Sequence, residues 1–187
     1  MLAAGKCCYI NYKEKPKQEI NFRYSVVALE KNSPFNSENK DIDEVLHARS
    51  LYNQEIDLDV FTEALKTYVT LSRQHGFIPV VTYTPSAYTA YANNVVFDDP
   101  ALGKLMSWFS WEQRNFFKTK GKELGYIFID LTPSIQAAAQ INCDDNLPAE
   151  DLLYYQTNLH LTRHGHMVIA KTITQALQHL NATAYKK

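Results

Sequence analysis

The sequence predicts an α/β domain with a mainly parallel sheet and helices on both sides of it. Amphipathic helical stretches and short apolar runs alternate twice between residues 57 and 131, the order expected when crossover helices join parallel strands. With 45% hydrophobic and 21% charged residues in a chain of 187, the composition is that of a folded chain with one core. We read residues 1–187 as a single domain, with 1–19 a poorly defined N-terminal segment and 181–187 a tail.

The elements follow in order. Residues 20–30 (INFRYSVVALE) are rich in aromatic and β-branched side chains and suit a strand. The polar stretch 31–43, with its Asn, Ser and Pro, suits a surface loop. From Asp57 onward Val60, Phe61, Ala64, Leu65, Tyr68 and Leu71 recur at helical spacing, and Gly76 after His75 suits a helix end. The run FIPVVTYT (77–84) is a continuously apolar strand of the kind buried on both faces of a parallel sheet. Leu102, Leu105, Met106, Phe109, Phe116 and Phe117 then mark a long helix closed by Gly125, and YIFIDL (126–131) repeats the buried-strand pattern. Thr132 and Pro133 suit the cap and first turn of a helix through Ala139. The last helix spans 162–180, with Ile169, Ile173, Ala176 and Leu180 facing inward.

Charge and cysteine content narrow the function classes. The formal net charge is −1, from 19 basic and 20 acidic side chains, which argues against a nucleic-acid partner. No apolar run approaches the roughly 20 residues that cross a bilayer, so no membrane segment is expected. Three cysteines, Cys7, Cys8 and Cys143, suit reduced thiols and a cytoplasmic setting.

In a parallel sheet, ligands gather at the carboxyl ends of the strands. Three loops are expected there: one after Thr84, one after Asp130, and one carrying Asn158 and His160. The densest polar constellation is NLHLTRHGH (158–166). A histidine just ahead of a helix, with Thr162 to cap that helix, is held by the backbone yet open to solvent, and can move protons near neutrality. Asn158, two residues earlier, is placed to orient its ring.

This block, YYQTNLHLTRHGHMVIA (154–170), resembles the catalytic-histidine block of SGNH (GDSL-type) hydrolases. VVTYTPS (80–86) with Tyr88 and Tyr91 is similar to the Pro-Ser-then-tyrosine strand of one branch of that family, and 126–133 to the strand preceding its histidine block. The resemblance covers residues 57–180. It implies a three-layer SGNH/flavodoxin-like fold, incomplete at its N-terminus, and an ester hydrolase or acyltransferase with His160 as base and Asn158 as orienter.

The chain departs from the family in two places. None of its six glycines begins Gly-Asp-Ser, the turn that carries the family's nucleophile. Asn158 stands where aspartate is usual, and an amide cannot stabilise imidazolium; in a serine protease that change lowers turnover about 10⁴-fold. A truncated or degenerate scaffold is therefore expected, and a non-catalytic carbohydrate- or partner-binding module on the same fold stays open as the alternative. Ser86, with Tyr88, is the candidate for contact with a small acylated or carbohydrate-like substrate. For Ser86 a turn or helix-cap role is the plainer reading, and for Asp130 bonds to the backbone of the next helix. Asn32, Asn36 and Asn39 could include an oxyanion donor, and Cys7 is a weak stand-in nucleophile. No cofactor or metal is expected, because His160, His164 and His166 lack an evident Cys or acidic partner. The aromatic helix around Trp108 and Trp111 has apolar faces to spare, which leaves homo-oligomerisation open.

Overall fold

The computed structural model describes residues 27–29, 42–93, 95–97, 99–141, 152–155 and 160–184. The chain is mixed α/β and mostly helical. In order it forms β1 (Val27–Leu29), α1 (Ile42–Tyr52), a 3₁₀ turn (Leu58–Phe61), α2 (Thr62–His75), β2 (Val80–Tyr83), α3 (Ala87–Ala90), β3 (Val95–Phe97), α4 (Pro100–Leu124), β4 (Ile127–Asp130), α5 (Thr132–Ile141) and α6 (Arg163–Ala184). None of the described helices is long and apolar enough to cross a membrane.

β2 and β4 pair in parallel, with Val80 opposite Ile127 and Tyr83 opposite Asp130, so the repeated helix–strand order does produce parallel strands. Two expectations need correction. Among the described residues the parallel sheet has only these two strands, and β1 pairs antiparallel with β3 (Val27 opposite Phe97). Nor is β2 buried on both faces: Thr82 is exposed, as are Phe77 and Ile78 before it, because a two-stranded sheet has too few neighbours to cover both sides. Part of the open edge is closed by a side chain. The amides of Ile127 and Leu131 bond the carbonyls of Pro79 and Tyr83, so Val80 points its backbone away from β4. The Tyr68 hydroxyl accepts from the Val80 amide (3.2 Å) and donates to its carbonyl (3.3 Å), which satisfies both groups.

Helix ends follow their local chemistry. Gly76 and Gly125 close α2 and α4 with φ of 71° and 91°, a left-handed conformation that glycine adopts without a Cβ penalty. α4 starts on Asp99, whose carboxylate accepts the Ala101 amide at 2.8 Å, with Pro100 in the first turn. At α5 the expected threonine cap gives way to Asp130, whose Oδ1 accepts the Thr132 amide at 2.9 Å. Thr132 is itself the first helical residue and is buried.

α4 is the central pillar of the fold. Leu102, Leu105, Met106, Trp108 and Phe109 are buried on it at helical spacing, and Trp108 meets the Tyr52 ring edge-on at 5.5 Å. One core joins these to Ala48 and Leu51 of α1, to α3, β4 and α5, and to Leu153 and Tyr154, with α6 packed over them through Val168, Ile169 and Ile173. α2 uses fewer apolar positions than its spacing suggests. Leu65 and Val69 are buried, while Val60, Phe61 and Leu71 are exposed. Leu180, expected to face inward on α6, is likewise exposed.

Candidate functional site

The segment before α6 is tied by two buried tyrosines to the loop after β2 and to the end of α3. The Tyr154 hydroxyl donates to the Pro85 carbonyl at 2.6 Å, and the Tyr91 hydroxyl accepts the Leu153 amide at 2.9 Å. Their rings meet edge-on at 6.2 Å. Tyr91 is 1% exposed, so it is a core residue. Burial drives the Tyr154 phenol far above its usual range, which suits a hydroxyl held as a donor.

Beside this anchor the described arms on either side of 156–159 pair with each other. Tyr154 and Leu161 form an antiparallel bridge, and the Tyr155 amide donates to the His160 carbonyl at 2.8 Å. His160 is thus fixed by its backbone on the second arm, with an exposed side chain. Thr162 caps α6: its hydroxyl accepts the Gly165 amide at 3.1 Å and donates to the Leu152 carbonyl, and its own amide bonds the Leu153 carbonyl at 3.0 Å. The side chain of His164 is half-buried and that of His166 exposed. Asn158, Asn32, Asn36, Asn39 and Cys7 lie outside the described residues.

A cleft of about 350 Å³ opens at the end of β2, lined by Glu44 and His47 of α1, by Tyr83 and Ser86, and by Phe109 and Gln113 of α4. Ser86 caps α3. Its Oγ accepts the Thr89 amide at 3.3 Å, and its hydroxyl donates to the Thr89 Oγ1 at 3.4 Å. The Tyr83 hydroxyl donates to the Ser110 Oγ at 3.4 Å, and burial raises its pKa. Asp130 divides its carboxylate between the Thr132 amide and the Arg114 guanidinium (3.3 Å), so it serves the backbone of the next helix, as its position at a strand end suggests. The loops after β2 and β4 thus meet: the Leu131 amide bonds the Tyr83 carbonyl at 3.0 Å.

Ser86 and Tyr88 are neighbours in sequence but face different spaces. Tyr88 is buried and lines a second cavity, of about 410 Å³, between α3, β3, α4 and α5. His160 is not among the residues lining the cleft that holds Ser86. Sequence reasoning missed Glu44 and His47. They stand three apart in IDEVLHARSLY, on one helical face, but weak amphipathicity hid the helix itself. Compared with models of protein families, with curated proteins and with solved structures, the chain matches none.

Proposed function

We propose that this chain is an SGNH-like ester hydrolase or acyltransferase scaffold, with His160 as its general base, Asn158 as the orienter of that base, and the carboxyl ends of β2 and β4 as the side on which a small acylated or carbohydrate-like substrate is met. β2 and β4 are then two strands of the parallel sheet of a three-layer fold. The observation that carries this reading is the 2.6 Å bond from Tyr154 to the Pro85 carbonyl. It holds the histidine-bearing segment on the loop that leaves β2, where open α/β sheets gather their ligands.

Within these residues the chemistry is general-base rather than nucleophilic. No Gly-Asp-Ser is present, and Ser86 is occupied as the cap of α3. An exposed imidazole can still take a proton from water attacking an activated ester, an effect worth about 10²- to 10⁴-fold. With p-nitrophenyl acetate, the purified chain is expected to release nitrophenol above the buffer rate, and His160→Ala to abolish the excess. Equal rates for both proteins at the buffer background would sink the hydrolytic form of the proposal. The Ser86 cap favours one second reading, a non-catalytic carbohydrate- or partner-binding module. It is distinguished by saturable binding of a ligand in the cleft together with unchanged background hydrolysis.

A further inference from the structure

The cavity of about 410 Å³ beside α4 shares no lining residue with the cleft at the end of β2, and its chemistry is different. Lys104, Trp111 and Arg114 line it from positions i, i+7 and i+10 of α4, which fall on one helical face. Tyr88 and Phe97 complete an apolar wall, their rings 6.1 Å apart, and Gln136 of α5 stands opposite, its amide donating to the Thr89 carbonyl at 2.8 Å. No described acidic side chain lines this space. The two cations there are not equivalent. Lys104 is exposed and makes no ion pair with any described residue. Arg114 is 29% exposed, spends Nε on the Ser110 carbonyl (3.2 Å) and Nη1 on Asp130 (3.3 Å), and leaves its Nη2 edge without a partner among the described residues.

We infer that this cavity is a binding site for a small organic carboxylate with an aromatic or branched apolar body. The free guanidinium edge of Arg114 receives the carboxylate, and the body lies along Trp111 and Tyr88. The Nη2 group donates a charge-assisted bond to a carboxylate oxygen, and its half-buried setting strengthens that bond relative to one made in water. A monoanion fits better than a phosphate dianion, because Asp130 already neutralises part of the Arg114 charge. Lys104 sits about three helical turns away, some 15 Å along the axis. It adds attraction at the mouth and does not grip the same carboxylate. The site is independent of the hydrolase reading and stands or falls without it.

Phenylacetate is the probe, with 2-phenylethylamine and benzyl alcohol as its cationic and uncharged counterparts. Binding is read from the indole N–H signals of the two tryptophans in proton–nitrogen correlation spectra. Phenylacetate is expected to shift the Trp111 signal saturably and to leave that of Trp108, buried on the core side of α4, in place. Arg114→Gln is expected to weaken binding about tenfold, the size of one charge-assisted pair. Arg114→Lys keeps the partner of Asp130 and so guards against misfolding; it is expected to weaken binding by a smaller factor, because lysine keeps the charge but has no second donor group to offer once Asp130 is paired. Lys118→Gln, elsewhere on α4, is expected to change nothing. The inference is overturned if Trp111 shows no saturable shift at millimolar phenylacetate, if either counterpart binds as tightly, or if both Arg114 variants bind like the parent.

Discussion

Replacing Gly165 by alanine is expected to destabilise the chain by about 2 kcal/mol and to loosen the segment that carries His160. A Cβ at this position would lie 2.2 Å from the Leu153 carbonyl oxygen and 2.9 Å from the Leu161 Cδ2. The Leu153 oxygen is backbone and cannot swing aside, and it already accepts the Thr162 amide. Relieving the clash moves α6 off the segment 152–154, which strains the cap that Thr162 makes to Gly165 and to Leu152. Overpacking of this severity costs about 3 kcal/mol, and alanine's better helix propensity returns about 1 kcal/mol of it. Gly103→Ala is the contrast, since there the added Cβ meets only the Phe97 side chain, at 3.2 Å. Urea denaturation of both variants measures the difference. An unchanged or raised midpoint for Gly165→Ala would mean that α6 does not pack on 152–154 as described.

Tyr154→Phe is expected to cost about 2 kcal/mol near neutral pH, because Pro85 is buried and its carbonyl would be left without its donor. The phenyl ring keeps the edge-on contact with Tyr91, so the loss belongs to the hydroxyl. A second signature appears in alkali. Burial, reinforced by the charges of Tyr91, Glu44 and Tyr83, raises the Tyr154 pKa above the ordinary 10.0. A group whose folded pKa is raised contributes stability that is complete below the unfolded value and is lost as pH climbs toward the folded one. The parent protein therefore loses stability above about pH 10, and Tyr154→Phe loses less of its own over the same window. Some dependence persists in the variant, because burial also raises Tyr83 and pushes Tyr126 up to about 12. Urea midpoints taken from neutral pH to above pH 10 decide it: parallel pH profiles for the two proteins would contradict the buried-donor role of Tyr154.

Long amphipathic and capped elements were legible in the sequence because their signals are local. The apolar spacing of α4, with Gly125 at its end and Asp130 at the start of α5, needs only neighbouring residues to be recognised. The parallel pairing of β2 with β4 followed from the helix between them. What escaped depended on distant partners. α3 and β3 are too short to show a period, and α1 presents little contrast between its faces, so Glu44 and His47 went unread. The inward face of α2 was overestimated because apolar spacing shows which residues could be buried, while the number of covering elements decides which are. At the site, the Thr162 cap was visible as a threonine ahead of a helix. That Tyr91 and Tyr154 are buried struts was not, because their partners lie 62 and 69 positions away. Likewise Ser86 and Tyr88 look like one site in sequence, yet a single helical turn sends them to separate cavities.

That the histidine segment is closed on itself and docked on the end of α3 is tested most directly by amide hydrogen exchange at Leu153 and Thr162. The Leu153 amide is bonded to the Tyr91 hydroxyl and the Thr162 amide to the Leu153 carbonyl. Both are expected to exchange as slowly as the core amides of α4, and Tyr91→Phe to speed Leu153 far more than Thr162. Exchange of both at the free-chain rate, unaltered by Tyr91→Phe, would show that the segment is not held there.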